Sequence, residues 1–357
     1  MSNTNIREIK DFCHTVFSEA LRKTQRENLG RSIAALMAGR DAHLSSVARA
    51  FEGPTQFRYR LKRFDRFIGN KRVKVWECFP ALVSIILKLA DRMGGYLPVL
   101  VDHTDVGKDL RVFYAAVLFK RRALPLIFFV FNKRKVRRSQ NRIEEFLLRQ
   151  LSEIVPGRFR VVIVADRGFG RVSLFRFIER KLKWKFVIRV KDKVCIHDGK
   201  YHGLLKNAPA RWWRQGAAYH KTAQYQLNLL SITAGTDDPW YLATDLNDSV
   251  LVKSIYEKRM RIEELFRDQK WHVGMVVPTN RNIGRFSRLL FIVLLASLLL
   301  ILLGKQVQRC PKLVASVIAN PAKAGLLWLA GQALEHAPPE QVQILLRRVV
   351  RSLLLAV

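Results

Sequence analysis

Residues 96–131, YLPVLVDHTDVGKDLRVFYAAVLFKRRALPLIFFVF, set the fold class. They hold three apolar runs rich in β-branched and aromatic residues: YLPVLVD, ending on Asp102, then LRVFYAAVLFK and ALPLIFFVF, with the basic turn KRRA between the last two. Runs of this length and composition predict strands. Downstream, the basic stretch KRKVRRSQ leads into an amphipathic helix, RIEEFLLRQLSEIV. RFRVVIVAD predicts a strand ending on Asp166, SLFRFIERKL a helix and WKFVIRV another strand. Three strands, helix, strand, helix, strand outlines a mixed sheet with helices on its faces, an α/β (α+β) fold.

Around this core the pattern changes. Residues 1–93 carry apolar residues at helical spacing, and residues 94–190 form the first part of the core. Residues 191–248 break the alternation with short strand candidates (VCIHDGKYHGL, YQLNLLSITAG, DPWYLATDL) and the cluster Arg211-Trp212-Trp213-Arg214, which reads as a β-rich insertion. Residues 249–278 return to the core, and residues 279–357 are helical and apolar, with breaks at Pro311, Pro321 and Pro338-Pro339. Within the first region a short helix over residues 45–51 meets Gly53-Pro54 and is followed by a basic helix. Arg58, Lys62 and Arg66 stand there at i,i+4 spacing, and Phe57, Leu61, Phe64 and Phe67 supply an apolar face. Short helix, tight turn and basic helix make a helix-turn-helix outline for DNA contact. A helix over residues 76–93 closes at Gly94-Gly95.

With 63 Lys and Arg against 29 Asp and Glu, a formal +34 over 357 residues, the chain calls for a polyanionic partner, nucleic acid or an anionic membrane. A hydrophobic content of 49% excludes a disordered basic tail. Residues 289–303, LLFIVLLASLLLILL, are too short for the roughly 20 residues of a spanning helix and read as a buried core helix. Charge spread over the whole chain then favours double-stranded DNA, no membrane, and a cytoplasmic location. The four cysteines, without a CxxC pair, suit buried free thiols of a reducing compartment. The N-terminus has no apolar signal region.

The chemistry lies in three carboxylates. Residues 256–270, YEKRMRIEELFRDQK, contain strong helix formers without Gly or Pro. At about 100° per residue, Tyr256, Arg259, Glu263 and Lys270 fall within roughly 60° of arc. One stripe thus presents a carboxylate among cations, as a metal ligand beside phosphate-binding groups does. A solvated charged helix is the alternative. Asp102 and Asp166 at neighbouring strand ends can converge with Glu263 on a two-metal site for phosphodiester chemistry. Asp105 competes with Asp102, which is preferred because the strand ends on it. Glu144 and Glu145 read as a solvated helix face, and Glu264 points roughly 80° away from the Tyr256 face. His197, His202 and His272 make no cluster. Tyr256 as a covalent nucleophile fits less well, because that chemistry needs no acidic triad.

Tyr256-x2-Arg259-x3-Glu263-x6-Lys270 resembles the tyrosine–arginine–glutamate–lysine signature of the bacterial DDE transposases of the insertion-sequence-four family. Asp102-x-Thr104 and Asp166-Arg167-Gly168 look like that family's first and second aspartate motifs, so the resemblance covers residues 40–300. It implies an RNase H-like catalytic core interrupted by a β-rich insertion. It also implies cut-and-paste transposition: Mg2+-dependent nicking at terminal inverted repeats (Mn2+ being a possible substitute), hairpin formation, hairpin opening and strand transfer. By the same resemblance Asp102, Asp166 and Glu263 hold the metals, Tyr256, Arg259 and Lys270 contact phosphates, the N-terminal helices bind the repeats, and the protein acts on element ends and target DNA as a homodimer in a synaptic complex. Trp212, Trp213 and Trp240 are candidates for stacking on a flipped base, with core packing the alternative favoured for at least two of them. The rival reading is a catalytically inactive DNA-binding regulator derived from such a transposase.

Overall fold

A computed structural model describes residues 3–136, 140–232, 238–275, 282–317 and 325–355. The break expected at Pro321 lies outside them, as does part of the KRKVRRSQ stretch. Five helices come first: α1 (Asn3–Val16), α2 (Lys23–Gly39), α3 (Leu44–Ala50), α4 (Phe57–Gly69) and α5 (Val75–Leu89). The strands β1 (Leu97–Val106), β2 (Leu110–Phe119) and β3 (Arg122–Asn132) follow, then α6 (Gln140–Ile154), β4 (Val161–Ala165), α7 (Val172–Arg176) with a π-helical continuation (Phe177–Leu182), and β5 (Lys185–Arg189). Next come β6 (Cys195–His197), β7 (His202–Leu204), β8 (Trp213–Tyr219), β9 (Tyr225–Ile232) and β10 (Trp240–Thr244). The chain ends in α8 (Ser249–Tyr256), α9 (Met260–Trp271), α10 (Ile283–Gln308), α11 (Pro311–Val317), α12 (Leu326–His336) and α13 (Pro339–Leu354).

The ten strands among the described residues form one mixed sheet in the order β3-β2-β1-β4-β5-β10-β9-β8-β6-β7. β1, β2 and β3 are an antiparallel meander, while β4 lies parallel to β1 and β5 parallel to β4. Parallel neighbours need crossovers, which α6 and α7 supply. The apolar run at the start of β1 is continuous because residues on both faces of the sheet are buried there. This is the RNase H-like core with flanking helices. The insertion extends the same sheet, since β10 pairs antiparallel with β5. Nothing in the sequence pattern points to β8. Its pairing with β9 shifts between Arg214 and Ala217, around Gly216 at φ 60°, and that bulge breaks the alternation by which a strand is recognised.

Three details differ from expectation. α5 stops at Leu89, four residues before Met93, because the Asp91 N–H turns to the Leu118 carbonyl at 2.8 Å. Gly94 and Gly95, at φ 54° and 77°, then make the tight turn that delivers β1. In α4 the buried face is Phe64, Phe67 and Ile68; Phe57 is 38% exposed and Leu61 only half-buried, so the helix packs by its C-terminal half. Of the four free cysteines only Cys13 and Cys78 are buried, Cys195 and Cys310 being half-buried.

α10 is the central helix, 26 residues long and long and apolar enough to cross a membrane by length and composition. It packs instead against α2, α12, α13, β3 and α4, and 94% of its most apolar window is buried in the protein. A helix apolar all round is one covered on all sides. Its internal Ser297 donates its hydroxyl to the Val293 carbonyl at 2.7 Å, which removes the penalty of burying it. One continuous hydrophobic core runs from α1 through the sheet to α13.

Candidate active site

Asp102 lies inside β1, which continues to Val106, so the strand does not end on it. The choice between Asp102 and Asp105 rests instead on strand parity. Residues three apart face opposite sides of a sheet. Asp105 is engaged on its own side by Arg111 Nε at 2.6 Å and Lys133 Nζ at 3.0 Å, which hold its carboxyl below the usual range. Asp102 faces the other way, toward Arg259, whose Nη1 lies 3.5 Å from its Oδ2.

Asp166 directly follows β4 and caps the short 3-10 turn of residues 167–169, accepting the Gly168 N–H at 2.8 Å. A Cβ on Gly168 would come within 3.1 Å of that carboxylate, which is why this position suits glycine. In the parallel β1–β4 register Leu100 stands opposite Val164. Asp102 and Asp166, each two residues further on, are therefore neighbours across adjacent strands, as the strand order predicts.

The helix expected over residues 256–270 is two helices. α8 starts at Asp248, whose side chain caps the Val250 and Leu251 amides, and ends at Tyr256. Between α8 and α9 the backbone closes i→i+3 bonds, Lys258 to Ile255, Arg259 to Tyr256, Arg261 to Lys258 and Ile262 to Arg259. Tyr256, Arg259 and Ile262 are buried at intervals of three, the period of a 3-10 turn, and packing that face overrides the regular α period. Three residues per turn still place Arg259 one turn above Tyr256 on the same face.

Arg259 is buried and bridges two of the carboxylates. Its Nη2 is paired with Glu263, and its Nη1 faces Asp102 without making a hydrogen bond. Burial pushes the Asp102 carboxyl up to about 6, and the charges of Asp166 and Glu263 push the same way against Arg259 and the His103 amide. Asp102 thus feels both other carboxylates. Tyr256 is buried edge-on against Trp240, ring centroids 5.1 Å apart, and burial pushes its phenol up to about 12, so it is a neutral hydroxyl. Lys270 is exposed, two turns beyond Glu263 and roughly 10 Å along the axis. Among the described residues no three carboxylate, imidazole or thiolate groups stand close enough together to hold a metal ion. The guanidinium of Arg259 lies between Asp102 and Glu263, so the full convergence expected of the triad is not seen. In chemistry the donor set does fit a hard divalent cation: three carboxylates from three elements, one of them raised chiefly by burial and further by the charges of the other two.

Arg58, Lys62 and Arg66 are not part of this cluster. They are exposed on α4, which packs on α2, α3 and α10. Lys62 and Arg66, with Arg63, line a groove of about 480 Å³ against Gln25 and Asn28 of α2. Arg58 lies over the Tyr59 ring. Of the three tryptophans, Trp240 packs on Tyr256, Trp213 is half-buried against the core, and Trp212 is 46% exposed beside Lys253.

Glu144 overturns its reading as a solvated residue. It is buried, accepts Arg171 Nη2 at 2.5 Å and Gln140 Nε2 at 3.1 Å, and its Oε1 lies 3.6 Å from His103 Nε2. His103 is stacked between Phe113 and Phe169, centroids 4.6 and 5.3 Å away. Burial, with Arg111 and Arg171 nearby, pulls its imidazole down to about 3, so it is neutral. The stack ties the residue after Asp102 to the turn that begins at Asp166. Beyond a helical glutamate and a lone histidine, nothing in the sequence signals this cluster. Arg171→Ala leaves Glu144 buried without its cation and is expected to cost about 3 kcal/mol, read by urea denaturation; a change under about 0.5 kcal/mol would show the pair to be dispensable.

The model of the transposase DDE domain matches residues 101–299, more than half of the chain, from the strand carrying Asp102 into α10. The chain belongs to the DDE transposases. No curated protein matches it. For a DDE transposase the sheet order, the two aspartates on adjacent strands and the glutamate on a following helix are mutually consistent. Transposase, DNA recombination and an RNase H-like core describe it.

Proposed function

We propose that this DDE transposase is a cut-and-paste enzyme of the insertion-sequence-four type. It cleaves DNA at terminal inverted repeats, forms and resolves hairpins, and transfers the strand to target DNA. The observation that carries this reading is the buried Arg259 guanidinium set between Asp102 and Glu263, with a donor at Nη1 that has no hydrogen-bond acceptor among the described residues. A guanidinium beside paired carboxylates, with a donor to spare, is suited to a phosphate oxygen next to the bond being cut.

Asp102, Asp166 and Glu263 would hold Mg2+ or Mn2+. The chemistry supplied when the cations are bound is activation of the attacking oxygen and stabilisation of the leaving one. The chain's own residues position the DNA. Arg259 and Lys270 grip phosphates, Tyr256 donates a neutral hydroxyl, and Trp212 offers an exposed ring on the insertion. Residues 1–93, with Arg58, Lys62 and Arg66 of α4, bind the element ends. Two copies synapse the two ends in the bacterial cytoplasm.

Glu263→Gln keeps the size of the side chain and removes its charge. It is expected to abolish Mg2+-dependent cleavage of an end-bearing duplex, by at least about a thousandfold, while duplex affinity stays within about threefold. Cleavage at the wild-type rate in this variant would remove Glu263 from the site. A wild-type protein that binds ends tightly and cuts nothing with Mg2+ or Mn2+ is the inactive regulator.

A further inference from the structure

A second cleft, about 490 Å³, gathers six cations that the catalytic stripe does not use: Lys120, Arg121 and Arg122 from the β2–β3 turn, Arg261 and Arg267 from α9, and Lys305 from α10. Glu264 is the carboxylate in its wall. On α9 Glu264 lies about 100° round from Glu263 and Arg261 about 160°, while Arg267, about 40° round, stands at the edge of the cleft nearest the catalytic stripe. Arg122 and Arg261 are committed to structure. Arg122 Nη1 pairs with Asp268 at 3.1 Å and reaches Glu264 at 3.7 Å, and Arg261 Nη1 pairs with Glu264 at 2.5 Å. Among the described residues the side chains of Lys120, Arg121, Arg267 and Lys305 form no ion pair, although the charge of Arg267 acts on the neighbouring Asp268 and the Lys120 backbone N–H donates to Asp91 Oδ2 at 2.6 Å.

The backbone of the turn gives an independent reason to look for a ligand. Phe119 pairs with Arg122, so Lys120 and Arg121 form a two-residue hairpin loop, at φ 43° and 69°. A loop with both residues at positive φ favours Asn-Gly. Here the left-handed positions hold two long cations, which is strained, and such strain persists at ligand sites. Side-chain charge outside any ion pair, two of its cations fixed at left-handed positions beside an open cleft, suits a row of phosphates.

We propose that this cleft is a second DNA-backbone site, which grips phosphates of a duplex segment other than the one held at Asp102, Asp166 and Glu263. The proposal rests on the transposase reading for its choice of polyanion.

Two variants test it on the full chain, with a fluorescein-labelled duplex of arbitrary sequence read by anisotropy across a salt series. Lys120→Asn/Arg121→Gly installs the favoured hairpin pair. Its thermal midpoint is expected at or above that of the wild type, while the slope of log affinity against log salt flattens by about 1 to 2, at about 0.9 for each phosphate no longer neutralised. Adding Lys305→Gln is expected to flatten the slope further and lower affinity about tenfold, with cleavage at saturating protein within about threefold of wild type. Unchanged affinity and slope in both variants overturn the cleft and leave the function standing. A wild type that binds no duplex overturns both. Loss of binding to phosphatidylserine vesicles with duplex binding intact assigns the cleft to another polyanion and also overturns it.

Discussion

Asp102→Asn is expected to lose Mg2+-dependent cleavage by at least about a thousandfold, equivalent to about 4 kcal/mol of transition-state stabilisation, whereas Asp105→Asn stays within about tenfold. The two residues are three apart on one strand and face opposite sides of the sheet, so the pair of variants separates them cleanly. The same substitution is expected to stabilise the protein when divalent cations are chelated. The Asp102 carboxyl is raised from 3.8 to about 6, chiefly by burial, so between those values the folded state binds a proton that the unfolded state has released. Stability from this group is therefore full below about pH 4, declines as pH rises toward 6, and stays absent above it. Asparagine carries no charge to bury. In EDTA the variant should melt above the wild type at pH 8, by on the order of 1 to 3 kcal/mol, and the two should converge at pH 4. A catalytic carboxylate that destabilises the fold carrying it is what a site built for a cation predicts. If Asp105→Asn is the inactive variant, or if Asp102→Asn melts below the wild type at pH 8, the assignment fails.

What could be read from the sequence divides along physical lines. The strands of residues 97–132 were legible because burial on both faces makes them continuously apolar, and the crossover helices because their apolar residues recur at helical spacing. Asp102, Asp166 and Glu263 stood out as candidates because two follow apolar strand runs and the third shares a helical stripe with Arg259. Their immediate surroundings were not legible. That Asp102 lies mid-strand depends on β2 pairing as far as Leu110, a property of two segments at once. The break between α8 and α9 has no Gly or Pro to announce it and arises from packing Tyr256, Arg259 and Ile262 on one face. Glu144 looked like any surface glutamate because its partners, Arg171 and His103, come from elsewhere in the sequence. β8 was hidden by a bulge, and the cleft at Lys120 and Arg121 by the usual reading of a basic hairpin loop as solvated.

Gly304→Ala is expected to destabilise the protein by about 2 to 4 kcal/mol, against the helix-propensity expectation of a gain of roughly 1 kcal/mol for replacing glycine inside a helix. Gly304 lies in the buried last third of α10, where α12 begins across from it. A Cβ at this position would overlap the Leu326 carbonyl oxygen and stand 2.7 Å from its carbon and 3.0 Å from its Cα. The obstacle is backbone, so no rotamer change relieves it; α12 must move as a body, and Leu326, Leu327 and Leu329 lose packing with it. Gly157→Ala is the control, since nothing lies within 4 Å of a Cβ there, and it should be neutral or stabilising by up to about 1 kcal/mol. Urea denaturation followed by circular dichroism reads both. Equal stability of Gly304→Ala and wild type would mean that α12 does not lie on α10, and the long apolar helix would then need some other cover for that face.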